Sequence, residues 1–250
     1  MEGIDLLHVE HWRPFSYVGL THPFFDINQF VVISTWAVLL MVLFFVLAIP
    51  AILKRKGSIA RFMVLSFVEG LATFVKQNLT LFSFGHLSFI AALFIFILLC
   101  NCLSVIPWLE EPTQDLNTTL SLGIISFTYV QYHAIREHGF WHYLKEYLQP
   151  FFIMFPLHLV GKLATIVSLS FRLFGNIYGG ATISSLYFSL IKSSVWYEIA
   201  GLVLGGNLVI ALFFGLFEGL LQAFVFAMLT LTYLSIALHS EGEEGASANV

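Results

Sequence analysis

The chain has 250 residues, 58% of them hydrophobic and 16% aromatic, and only 11 are basic and 15 acidic. Soluble globular proteins carry about 25% charged residues. A charged share of 10% with a mean hydropathy of +0.88 excludes an ordinary cytosolic enzyme and a disordered chain alike, and the net charge of −4 is too small and scattered to suit nucleic acid. The class is an all-α polytopic membrane protein, a single membrane domain over 1–250.

Residues 1–28 are mixed, with prolines, histidines and Arg13. They lack the basic start and apolar stretch of a cleavable signal. They are expected to form an outer segment in which His8, Glu10, His11 and His22 are solvated. The first apolar run, about 30–53, is long enough to span the hydrocarbon and stops at Lys54-Arg55-Lys56. Residues 58–81 differ. Arg61, Glu69 and Lys76 share one helical stripe, opposite Met63, Phe67, Leu71 and Phe74, which predicts an amphipathic interfacial helix on the membrane surface. A second span is predicted over about 84–107 and a third over about 118–134, joined by the short acidic loop WLEEPTQDLN. Cys100 and Cys102, two apart in an apolar run, suit neither a disulfide nor a four-ligand metal site. Residues 135–149 are polar and aromatic. His138 and His142 stand four apart there, but HGFWH lacks the glutamate of HExxH. With Phe140, Trp141 and Tyr143 around them, an interfacial aromatic belt is preferred over a metal site.

From about 150 to 238 the chain is almost continuously apolar, and KSSVWYE, starting at Lys192, is the one credible turn. It divides the stretch into helices at about 157–191 and 197–238, and residues 239–250 form an acidic tail. That makes five transmembrane helices. Basic residues set the orientation. Lys54, Arg55, Lys56, Arg61, Lys76, Arg136 and Lys145 fall on one side, and Arg13 and Lys192 on the other. The richer side is expected to be cytoplasmic, with the N-terminus outside and the tail inside.

Each of the last two helices would exceed about 50 Å, against a hydrocarbon core of about 30 Å. They are expected to be strongly tilted. On the first, Thr165, Ser168, Arg172, Gly175, Asn176, Gly179 and Thr182 form one small, polar stripe. On the second, Asn207, Ala211, Gly215, Glu218 and Gln222 do the same, and counting from the turn puts Gln222 at the depth of Arg172. An arginine cannot shed its proton, so inside a membrane it needs water or an acid. Glu218 is one candidate, and an acid on another subunit is the other. The small-xxx-small pairs Gly175/Gly179, Gly201/Gly205 and Gly215/Gly219 also suit plain helix packing.

At FRLFGNIYGG (171–180) the sequence resembles subunit a of the F-type ATP synthases. DLNTT (115–119), LQAFVFAMLTLTYL (221–234) and NCLSVIPW after an amphipathic segment agree, so the resemblance covers roughly 55–240. It implies a non-catalytic, proton-translocating stator subunit in which two offset half-channels serve the carboxylate of a ring of c subunits. The last two helices would lie as a hairpin against that c-ring. It implies b-type peripheral stalk subunits and the rest of the complex as partners, beside membrane lipid. It also implies that Arg172 separates the half-channels, with Asn176 and Gln222 at matching family positions. No GxxxxGK[ST] occurs, so ATP chemistry must belong to other subunits. No cofactor or metal is expected. The outside N-terminus favours a bacterial inner membrane.

Two departures are informative. Many relatives have a glutamate where this chain has Ala181, and a titratable group where it has Gly215. Glu218, on the face of Gly215, is expected to take over the proton relay of both. His158 and Lys162 stand where relatives have an acid on the cytoplasmic approach, and with Ser168 they are candidates for half-channel lining. His158 is equally readable as an interfacial side chain. Glu198 and Asn207 are the corresponding candidates at the outer end, and Glu198 equally suits a helix N-terminus. The competing class is a stand-alone transporter that clamps an anion with Arg172. Its usual internal repeats and broken helices are not visible in the sequence.

Overall fold

The computed structural model describes residues 11–12, 27–55, 57–79, 82–103, 111–141, 143, 155–192 and 206–239. Two short strands, β1 (His11–Trp12) and β2 (Ile27–Asn28), pair antiparallel just before the first helix. The rest of the regular structure among the described residues is helical. In order come α1 (Gln29–Lys54), α2 (Ile59–Asn78), α3 (Phe84–Cys102), a 3-10 turn (Pro112–Gln114) and α4 (Leu116–His138). They are followed by α5 (Phe155–Lys192), α6 (Gly206–Ile210), a π-helical turn (Ala211–Phe217) and α7 (Glu218–His239). Glu198, Gly201, Gly205, His142, Lys145, the tail beyond His239 and most of the N-terminal segment lie outside the described residues.

Among the described residues, four helices are long and apolar enough to cross a membrane: 32–54, 84–102, 155–191 and 212–239. The expected third span, α4, has the length, 23 residues, but not the apolarity. It carries Asn117, Thr118, Thr119, Gln131 and His133. Packing explains how such a helix is accommodated. α4 lies against α5 and α7, and Thr119 and Ser126 are buried in those seams. Polar groups in membrane bundles face the interior in this way.

The core lies between α3, α4, α5 and α7. Ile97, Leu173, Ala223, Phe226 and Leu231 are essentially inaccessible there. α1 joins its edge through Val38 against Leu99, Cys100 and Leu103 and otherwise exposes apolar side chains such as Trp36, Leu40 and Phe44. Gly57, at φ +84°, turns the chain from α1 into α2, a backbone conformation that other L-residues resist. α2 covers most of the stretch expected to be amphipathic. Its face docks through Phe67 on Phe94 and Phe74 on Phe224, both with ring centroids 5.8 Å apart, and through buried Val75. Phe62, Met63 and Val68 remain exposed.

α5 runs unbroken for 38 residues, about 57 Å. The final helix is not the single regular α-helix expected from about 197 to 238. Over Ala211–Phe217 its bonds run to the fifth residue, and the Glu218 N–H donates to Phe213 O. That geometry winds fewer degrees per residue. A change of winding interrupts the 3.6-residue period within this helix.

Candidate functional site

α5 sorts its residues by the 3-and-4 spacing. Leu169, Ser170, Leu173 and Ile177 are buried against the bundle, while Ser168, Arg172, Gly175, Asn176 and Thr182 are exposed. A Cβ placed at Gly161, Gly175 or Gly179 would meet nothing within 4 Å. The Gly175/Gly179 pair is therefore not a packing seam within this chain. It lies beside Arg172 on an open face, flanked by exposed Phe171, Tyr178 and Ile183.

Gln222 holds the hairpin at this level. It is 2% exposed, and its Nε2 donates to the backbone carbonyl of Arg172 at 3.3 Å. The two residues thus sit at one depth, as turn counting predicts. The carboxamide ties α7 to the backbone of α5 and leaves the guanidinium directed outward.

Glu218 sits elsewhere. Its Oε2 is buried with no hydrogen-bond partner among the described residues. A Cβ at Gly180 would lie 2.9 Å from that oxygen and 3.1 Å from Phe214 Cδ1. Gly180 is eight residues beyond Arg172, about 12 Å along α5. The carboxylate therefore occupies space vacated by a missing side chain, next to Ala181, rather than pairing with Arg172.

The next residue, Gly219, is a genuine close contact. A Cβ there would lie 2.8 Å from Asn101 Cβ. Asn101 Nδ2 donates to Gly219 O at 2.9 Å, and Thr113 Oγ1 donates to Asn101 Oδ1 at 2.7 Å. Glu111, two residues before Thr113, is only 5% exposed. Sequence reasoning missed this cluster. Asn101 had a readable signal, a polar side chain inside an apolar run. Glu111 had none, because it looked like part of an acidic loop. Asp115, in the DLNTT stretch, caps α4 by accepting from Asn117 N at 3.2 Å.

At the opposite end, Lys162 Nζ donates to Tyr143 Oη at 3.1 Å and Gln131 Oε1 at 3.3 Å, and lies 4.9 Å from the centroid of the Tyr143 ring. Tyr143 also donates to Gln131. A cavity of about 240 Å³ opens beside them, with Ser126, Thr165, Thr230 and Tyr233 on its walls. Any Cβ at Gly123 would collide with Ser170 Oγ, so this glycine lets α4 and α5 close at the wall of the cavity. His158 is exposed in the first turn of α5, apart from the cavity. His138 Nε2 bonds the Ala237 carbonyl at 3.0 Å, tying the ends of α4 and α7, while Phe140 and Trp141 are exposed. For Asn207 and Gly215 only the backbone is described, and no cluster of three metal-ligating side chains occurs among the described residues.

Long apolar helices, an arginine facing out among small residues, and buried polar groups packed between the helices define an integral membrane protein. Residues 31–235 match the family described as ATP synthase A chain, and this chain belongs to that family. It is 39% identical over 144 residues to an ATP synthase subunit a from Desulforamulus reducens, covering 57% of this chain and 53% of the relative. It is also 39% identical over 145 residues to an ATP synthase subunit a 2 from a Picosynechococcus species, covering 58% and 57%. With the subunit a of Acidothermus cellulolyticus it shares 35% identity over 166 residues, covering 62% and 55%. The chain spans little more than half the length of these relatives.

Proposed function

We propose that this chain is the proton-translocating stator subunit of a rotary F-type ATP synthase, with its N-terminus outside and its C-terminus in the cytoplasm. The outward face of α5 around Arg172 receives the c-ring. One half-channel leads through Glu218 to the ring from outside. The other leaves through the Lys162 cavity to the cytoplasm. α4 crosses the membrane as a fifth span sheltered by α5 and α7, and the b-type stalk subunits complete the membrane sector.

The observation that carries this reading is the placement of Arg172. Its guanidinium stands on an open stripe of small residues, while buried polar groups lie on either side of it along the hairpin. A fixed cation there favours the ionised form of a passing ring carboxylate, so a proton must leave before that carboxylate reaches the arginine. The same cation opposes a direct leak between the two paths. Asn176, on the same face one turn on, offers the ring a neutral polar contact.

Purification in mild detergent tests the assignment. The 28.2 kDa chain is expected to co-purify with a ring of small hairpin subunits. A lone, monodisperse protein at that mass would instead support the anion-clamping transporter.

A further inference from the structure

The start of α7 is held from two sides. On one side Gly219 lies so near α3 that a Cβ there would come 2.8 Å from Asn101 Cβ. On the other, the Glu218 carboxylate lies over the missing side chain of Gly180 on α5. Successive residues of a helix point about 100° apart, so adjacent positions can face different neighbours. The place that α3 gives to Gly219 therefore governs how Glu218 meets α5.

Asn101 is a wholly buried carboxamide near the end of α3, and both of its ends are engaged. Nδ2 donates to Gly219 O at 2.9 Å, and Oδ1 accepts from Thr113 Oγ1 at 2.7 Å. A backbone carbonyl can only accept, which settles which end of the carboxamide faces α7. Thr113, fully buried in the 3-10 turn, holds the carboxamide in that rotation. The core that α3 and α7 share is otherwise closed by apolar side chains such as Ile97, Ala223 and Phe226. A hydrogen bond adds a fixed distance and angle to a seam that apolar contacts alone leave free to slide.

We propose that Asn101 is a positioning residue for Glu218, and that Thr113 acts through Asn101. The proposal rests on the proton path through Glu218 given above. Asn101 carries no proton itself. It fixes the backbone next to Glu218, so that the carboxylate stays against Gly180 and Phe214. Without that bond α7 can turn or slide, and the carboxylate then meets other neighbours and exchanges its proton at a different outer pH. The titratable groups nearest this contact are Cys100 and Cys102 on α3, Glu111 and Asp115 on either side of the 3-10 turn, and Tyr178 on α5. The nearest basic group on α5 is Arg172, and α4 offers no titratable side chain between 116 and 128. α2, which meets α7 at Phe224, brings Glu69 and Lys76.

The test is passive proton flux through the assembled membrane sector in vesicles, with pH varied on the outer face alone. Asn101→Leu fills a similar space and removes both hydrogen bonds. It is expected to lower flux about threefold or more and to displace the midpoint of the outer-pH profile. Thr113→Val is expected to act in the same way to a smaller extent. Thr113→Ser keeps the donating hydroxyl and is expected to retain most of the flux at the wild-type midpoint. Added to Glu218→Gln, Asn101→Leu is expected to cause no further loss, because it acts through the carboxylate already removed. Wild-type flux and midpoint in Asn101→Leu overturn the proposal. So does a loss with an unmoved midpoint, or one that adds in full to that of Glu218→Gln, since either marks plain helix packing. Should Asn101→Leu not assemble, Thr113→Val against Thr113→Ser decides, and equal midpoints overturn the proposal. A large loss in Glu218→Gln beside a silent Asn101→Leu removes only the positioning role. Wild-type flux in Glu218→Gln removes the half-channel reading itself.

Discussion

At one end of the bundle, where α4 and α7 finish and α5 begins, the buried polar groups surround an ammonium, Lys162, with Gln131 and Tyr143. At the other end, where α3 finishes and α7 begins, Thr113 and Asn101 are hydrogen-bonded to one another and to Gly219 O, and the acids Glu111 and Glu218 are the neighbours in sequence of Thr113 and Gly219. α5 and α7 run through both ends, whereas α3 and the 3-10 turn contribute to the acidic end and the end of α4 to the other. In the proposed orientation the carboxylate end faces outward and can take up protons. The ammonium end faces the cytoplasm, where a positive charge near the path favours release from a ring carboxylate. Arg172 and Gln222 stand between the two, and in the proposed mechanism this asymmetry would give each half-channel its own task.

Removing the uptake acid should have the largest effect on this contrast. Glu218→Gln is expected to cut proton flux at least tenfold in vesicles while the complex remains assembled. Adding Ala181→Glu to that variant should restore part of the flux, because position 181 adjoins Gly180, where the lost carboxylate lay. Full activity in Glu218→Gln would reduce Glu218 to a packing residue.

A smaller effect is expected from Gly180→Ala. The added Cβ would sit 2.9 Å from Glu218 Oε2, closer than real Cβ contacts come, and 3.1 Å from Phe214 Cδ1, a tight contact. The carboxylate must move, and flux should fall about threefold to tenfold without loss of assembly. Unchanged flux would mean that the position of Glu218 against Gly180 is immaterial.

Lys162→Gln should matter least, because Gln131 and Tyr143 still line the cavity and keep it polar. A slowing of about twofold to fivefold, seen when pH is varied on the cytoplasmic face only, would sharpen the contrast between the ends. The same response to outer pH would erase it.

Much of this arrangement is legible in the sequence, for reasons that also explain the failures. Apolar runs fix α1, α3 and α5, since a membrane allows little else to span it. Counting residues from one turn places Gln222 opposite Arg172, because helical rise is constant along α5. The π-helical turn is not legible, since any stripe drawn by period assumes one winding throughout. α4 is legible as a helix but not as a buried one, because hydropathy ignores the neighbours that shelter Thr119 and Ser126. Glu111 is hidden for the opposite reason. Its burial arises from a short turn docking among four helices, a tertiary event with no local pattern. The missing side chain at Gly180 is visible as a glycine, but what fills the space is known only once α5 and α7 are brought together.

The separation of the two ends by a fixed cation is tested most directly by Arg172→Ala in the assembled, reconstituted complex, with ATP synthesis driven by an imposed pH gradient. The two-channel mechanism predicts loss of synthesis by at least about a hundredfold, with the ring and stalk subunits still present. Arg172→Lys is predicted to fail largely as well, since a lysine held in an apolar interface can shed its proton and an arginine cannot. Coupled synthesis at the wild-type rate by Arg172→Ala would contradict the mechanism.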